Sequence, residues 1–157
     1  MRHLLFLAAV VLSPLCAGEV LAAKAKGCFT TPEIKAEQEI RHGIYLREAA
    51  NRCNARYLPG AKDRWQKLEA ANGTKFRAAN DKRSKAWERE FPDDWKYKIT
   101  YADGRLVTYD RNIPLTAGFC ENIDELLAAV EKGGYGAFSK QSKLLRNEVT
   151  EDYRLCQ

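Results

Sequence analysis

The chain has 157 residues, with 26 lysines and arginines against 21 aspartates and glutamates, a formal charge of +5, five cysteines and two histidines. A chain this short holds one domain around a single core. With so few histidines it has little material for Ser-His-Asp chemistry.

The first segment reads as a secretory leader. Arg2 and His3 form a short positive start, Leu4 to Leu15 is an unbroken apolar run, and "CAGEVLAA" supplies small residues suited to cleavage. The best cut falls after Ala22, with Val20 three residues back; cuts after Ala23 or Ala25 also fit. The run is shorter than the roughly 20 apolar residues that span a bilayer. Leu15 before Cys16 argues against a lipoprotein anchor. Nothing after Ala23 is apolar enough to span, so an exported chain of residues 23–157, periplasmic or secreted, is expected. Its charge stays at +5, because the cut removes one Arg and one Glu. The cut also removes Cys16 and leaves Cys28, Cys53, Cys120 and Cys156. An even number in an exported chain implies two disulfides, which removes cysteine nucleophiles and redox pairs. No two cysteines have zinc-ligand spacing.

The first predicted helix has a marked start. Thr30 and Glu33 have capping-box spacing, Pro32 falls in the first turn, and Phe29 with Ile34 has staple spacing. Ala36, Ile40, Gly43, Leu46, Ala50 and Cys53 recur by threes and fours on one face. "YLPG" (57–60) ends it. From Ala61 to Phe91, Trp65, Leu68, Phe76, Ala79, Ala86, Trp87 and Phe91 keep a helical period, with a kink expected at Asn72-Gly73. Pro92 closes this helix, and Asp93 or Asp94 can cap a new start.

"WKYKITYADGRLVTY" (95–109) has two readings. With period two, Trp95, Tyr97, Ile99 and Tyr101 share a face and Asp103-Gly104 forms a hairpin turn. With the helical period, Trp95, Ile99, Ala102, Leu106 and Tyr109 form a stripe. The pattern leans to the hairpin, which would need helices to pack on. "NIPLTAGFC" (112–120) reads as a loop, Glu121 to Lys132 as a short helix, "GGYG" (133–136) as a break, and Phe138 to Tyr153 as the last helix.

Helix geometry restricts the disulfides. A straight helix over 31–53 holds Cys28 and Cys53 roughly 35 Å apart, whereas a disulfide needs Cα atoms within about 7 Å. Tracing the helices as antiparallel neighbours brings Cys120 to Cys53 and Cys156 to Cys28, and that pairing is expected.

Candidate chemistry is sparse. Glu39 and His42 have the E-x-x-H spacing of helical di-metal sites. His42 is the one histidine left after cleavage, however, so the second copy of the motif is missing, and both residues are expected on the surface. The carboxylate clusters Asp93/Asp94 and Glu121/Asp124/Glu125 fall at predicted helix starts, where acids suit the helix dipole. No cofactor motif, phosphate loop or EF-hand spacing is present, and no cofactor is expected. "NGT" (72–74) fits the glycosylation pattern. Between 61 and 91 nine basic residues face five acidic ones. Its densest part makes Arg77, Lys82, Arg83, Lys85 and Arg89 a candidate binding face for an anionic envelope component or a protein. The interleaved acids also fit a solvated helix face. Nucleic acid is a poor candidate partner for an exported chain without a binding module.

Cys28, "EIKAEQEIRH" (33–42), Cys53, "YKITYADG" (97–104) and Phe119-Cys120 together resemble a group of small exported bacterial proteins, mainly alphaproteobacterial. These carry an "EIRAEQ"-like helix flanked by cysteines and a second helical segment before a "Y/F-C" pair. The resemblance implies a helix over 95–109 and an exported address; the group has no assigned activity, so it implies no reaction. The expected fold is an all-α antiparallel bundle of about five helices stapled by two disulfides, or an α fold with a small β-hairpin at 95–110. The expected function is non-enzymatic binding of an envelope partner, with a carboxylate-dependent hydrolase as the alternative. Oligomeric state is left open.

Overall fold

The computed structural model describes residues 28–144 and 154–156. The expected leader and the stretch 145–153 of the expected last helix lie outside the described residues. Helix α1 (Thr31–Asn54) starts as its capping box predicts. The Thr30 N–H donates to the Glu33 carboxylate at 2.8 Å, Pro32 sits in the first turn, and Phe29 and Ile34 are buried in one cluster. Helix α2 (Ala61–Ala71) follows Gly60, whose φ of 88° is a left-handed value that glycine adopts without strain. Helix α3 (Gly73–Glu90) begins after Asn72, where the chain kinks. The Asn72 side-chain amide donates to the Leu68 carbonyl at 2.9 Å, so the amide of the glycosylation pattern is occupied in ending α2.

Residues 95–112 settle as helix α4 (Trp95–Asn112) rather than a hairpin. Ile99 is buried on its inner face, but Tyr109, read as part of the same stripe, is exposed. Asp110 turns inward instead, and Arg52 of α1 caps the end of α4. The Arg52 guanidinium donates to the carbonyls of Asp110 (2.6 Å) and Ile113 (2.5 Å).

Helix α5 (Ala117–Leu144) starts earlier than the sequence suggests, which shortens the expected loop to 113–116. Glu121, Asp124 and Glu125 therefore lie beyond its first turn and do not cap it. Asp124 and Glu131 instead pair with Arg64 of α2. The expected break is present: Gly134 has φ 60° and ψ −155°, a conformation open essentially to glycine alone. The chain folds back there, because the Gln141 side chain donates to the Leu126 carbonyl at 3.0 Å. In a straight helix those residues would be about 22 Å apart.

Two-residue strands β1 (Cys28–Phe29) and β2 (Arg154–Leu155) pair in parallel, Cys28 opposite Arg154 and Phe29 opposite Leu155. No spacing in the sequence signals this pairing. It lies beside the Cys28–Cys156 disulfide (Cα–Cα 4.9 Å); Cys53–Cys120 (5.6 Å) closes the other end of α1. Both links are as helix length and antiparallel tracing require.

Among the described residues the result is an all-α bundle of five helices, with α1 touching each of the other four. Its main core gathers Leu46, Ala50, Trp65, Leu68, Ile123, Leu127, Val130 and Phe138, and a smaller one gathers Phe29, Ile34, Ala86, Trp87 and Ile99. No helix among the described residues is long and apolar enough to cross a membrane.

Candidate functional site

Because α1 is enclosed on several sides, its polar residues are buried too. Glu37 is fully buried, as is Arg83 of α3 at 1 % exposure, and their side chains meet at 2.6 Å. Arg83 also bonds Asp103 of α4 at 2.6 and 3.0 Å, while Arg41 (3.0 Å) and the Trp87 indole (3.1 Å) donate to Glu37. Burial alone would push the Glu37 carboxyl up, but the Arg83 charge and hydrogen bonds hold it below the ordinary carboxylate range. Arg83 therefore leaves the candidate binding face. It is an internal clamp joining α1, α3 and α4.

Glu39 and His42 are likewise inside, at 5 % and 2 % exposure, not on the surface. Tyr135 of α5 donates to Glu39 at 3.0 Å, and the His42 Nε2 lies 3.1 Å from the Gln141 side-chain oxygen. The imidazole stacks against Phe138 at 4.9 Å, and burial lowers its pKa to about 4. Contacts from α5, not the local pattern, accompany the burial of this pair. Among the described residues no group of three His, Cys, Asp or Glu side chains is placed to hold a metal ion.

Of the carboxylates, Asp93 and Asp94 are exposed where α4 begins, and Lys98 pairs with Asp94 at 3.1 Å. Glu48 and Asp110, which no spacing in the sequence singles out, are close enough for the Glu48 charge to act on Asp110. Glu48 is held by Arg47 (3.2 Å) and Arg111 (2.8 Å). Asp110 is buried, and burial together with the Glu48 charge raises its pKa from 3.8 to about 6 against the pull of Arg52 and Arg47. A raised folded-state pKa means that charged Asp110 costs stability above pH 6, and that the cost fades as pH falls toward 3.8. Asp110→Asn is expected to stabilise the protein by about 1–3 kcal/mol at pH 8 and to leave it unchanged near pH 4. Chemical denaturation of both proteins at the two pH values checks this; equal stability at pH 8 overturns it.

The remaining residues of the basic face divide. Arg77, Lys82 and Lys85 are exposed on α3. Arg89, also exposed, is engaged with Glu33 (2.5 Å), Glu90 (2.6 Å) and the Cys28 carbonyl (3.0 Å), tying the end of α3 to the start of α1. Its hydrogen bond draws the Glu33 carboxyl down to about 2.

Beside Arg77 runs a groove between α1, α2 and α3. One hollow of about 270 Å³ is lined by Ile40, Gly43, Ile44, Trp65 and Phe76, with Arg47, Glu69, Arg77, Asn80 and Asp81 at its polar positions. A second, of about 540 Å³, shares Arg47, Trp65 and Glu69 and continues along Asn51, Asn54, Lys62 and Gln66. The indole Nε1 of Trp65 is buried without a hydrogen-bond partner among the described residues. Gly43 lies mid-helix, where glycine costs roughly 1 kcal/mol against alanine. A Cβ there would meet Phe138, Phe76 and Trp65 only at 3.8–3.9 Å, ordinary contact, so packing does not demand the glycine. Gly43 itself is part of the groove's lining. By its spacing Gly43 falls on the core face of α1, and a glycine inside an otherwise strong helical run is the signal the sequence offers.

Compared with family models, curated proteins and solved structures, the chain matches none of them.

Proposed function

We propose that the protein is an exported, non-enzymatic binding protein whose α1–α2–α3 groove, with the exposed basic edge of α3, receives a segment of an envelope partner. The observation that carries this reading is the groove itself: an apolar floor around Gly43, with charged and amide groups at its edges. That mixture suits a peptide segment of alternating character better than a uniformly charged polymer, because rim arginines and carboxylates would both need partners. Arg77 borders the groove, and Lys85 follows Asp81 by one helical turn on the same side of α3. An acidic residue flanking an inserted apolar anchor would meet both. Export is supported by the leader-like first segment and by two disulfides, which persist in oxidising compartments.

A photo-crosslinking side chain at position 77, with a control at exposed Lys140 on α5, tests the reading in the envelope fraction of an expressing cell. Adducts at 77 that are absent at 140 are expected. Gly43→Ala is expected to stabilise the fold by about 0.5–1 kcal/mol, and Gly43→Leu to fill the groove and abolish the adduct. Equal crosslinking at both positions, or an adduct indifferent to Gly43→Leu, sinks the reading. The alternative, a carboxylate-dependent hydrolase, would draw on Glu48 and Asp110, whose charges act on one another. A hydrolytic activity lost in Asp110→Asn would favour it.

A further inference from the structure

Helix α4 buries only Ile99 and Asp110 and turns a distinct face outward. Tyr97, Tyr101 and Tyr109 are 72 %, 59 % and 69 % exposed, and Arg105 is exposed between the last two. Steps of four residues align Tyr97, Tyr101, Arg105 and Tyr109 as one ridge about 18 Å long. The rings of Tyr97 and Tyr101 already lie side by side, with centroids 6.2 Å apart and an angle of 18° between planes. The helix's carboxylates do not neutralise Arg105: Asp103 is bound to Arg83, and Asp110 is buried. At Gly104 nothing lies within 4 Å of the Cβ position, so the middle of the ridge is open to a close neighbour.

We propose that this ridge is a self-association surface, and that its occupant is α4 of a second copy of the chain, docked antiparallel about a twofold axis. The order Tyr–Tyr–Arg–Tyr is self-complementary in that sense alone. A twofold axis midway between positions 101 and 105 sets Tyr97 against Tyr109 of the second copy, and Tyr101 against its Arg105. The first is an aromatic pair and the second a cation–π pair, each made twice. A parallel arrangement would oppose Arg105 with Arg105. Ridges of this spacing interdigitate when two helices cross near −50°. Three tyrosines of roughly 150–250 Å² each, about two-thirds exposed, together with Arg105 and the small residues between them, would bury about 600 Å² per copy. That is the low end for a specific interface, so the dimer should be reversible and of micromolar affinity. This inference uses a different surface from the groove and stands apart from it.

Sedimentation velocity of the mature, disulfide-bonded chain from about 5 to about 500 µM tests it, a range that brackets micromolar dissociation constants. A concentration-dependent dimer is expected. Tyr101→Arg alone, which sets arginine against arginine twice, and Arg105→Ala alone, which removes both symmetric cation–π pairs, should each weaken association about tenfold or more. The double swap Tyr101→Arg/Arg105→Tyr restores the palindrome and should return association to near the parent value. All four positions are exposed, and unchanged circular dichroism confirms that the variants fold. A monomer at every concentration, a dimer indifferent to the single changes, or a swap that fails to rescue each overturns the proposal. Capture of an acidic protein by a monomeric chain through this face does so as well.

Discussion

Arg83→Met is expected to destabilise the folded, disulfide-bonded protein by about 3–5 kcal/mol at neutral pH, the loss that follows when one partner of a buried ion pair is removed. The cost is not that of one salt bridge. Glu37 sits in the second turn of α1 with no exposure to solvent, and Arg83 supplies both its closest bond (2.6 Å) and, ahead of Arg41, the charge that keeps it ionised. Without Arg83, Arg41 and the Trp87 indole remain on Glu37, but the fork that reaches across to Asp103 is gone. The pH dependence separates this from lost packing. In the parent protein the Glu37 carboxyl is held below its ordinary value, so its contribution is present above that value and lost on acidification. In the variant the carboxyl should be raised instead, and the deficit should shrink as pH falls. Glu37→Gln on the variant background removes the stranded charge and is expected to recover at least half of the loss. Urea denaturation of the three proteins at pH 7 and pH 5 decides it. A deficit under about 1 kcal/mol, the range of surface pairs, would place Arg83 back among the solvated side chains.

This clamp marks where sequence reading stops. The capping box at Thr30–Glu33, the kink at Asn72 and the break at 133–136 are local. A few residues dictate each, and each was legible. Burial of α1 is not local. The amphipathic rule assigns polar residues to solvent because most helices have one side against the core. Helix α1 instead meets helices on several sides, so Glu37, Glu39, His42 and Glu48 are buried, and each finds its partner on α3, α4 or α5. Those partners lie tens of residues away, and nothing in "EIKAEQEIRH" announces them. The same reasoning covers Arg83, which stands in a dense basic run yet is the residue that run turns inward. In α4, Tyr97 and Tyr101 imitate the inner face of a strand, and as a helix they become its outermost residues. Part of the groove was legible: Trp65, Phe76, Ile40 and Gly43 were all placed on helical faces. That they border one hollow depends on the angle between α2 and α3 at Asn72, which no spacing encodes.

The two disulfides are expected to differ in accessibility while each carries a large share of stability. In the chain-entropy model, removing Cys53–Cys120 or Cys28–Cys156, which close sequence separations of 67 and 128 residues, costs roughly 4–5 kcal/mol in each case. Domains of this size have a net stability of about 5–15 kcal/mol. A chain drawing on two such links would be marginal or unfolded in a reducing compartment. Cys53 and Cys120 are sealed in the main core beside Leu46, Ile123 and Leu127. Cys28 and Cys156 are half-buried at the β1–β2 pair. Thiolate attack requires access to a sulfur, so mild reductant under native conditions should open Cys28–Cys156 first, releasing β2 while the bundle stays folded. Cys53–Cys120 should resist until denaturant is added. Alkylation of the native protein after brief reduction, followed by peptide mapping, should label Cys28 and Cys156 and leave Cys53 and Cys120 linked. Labelling of Cys53 and Cys120 first would mean that the core opens before the terminal strand detaches, and that the β1–β2 end is the firmer of the two.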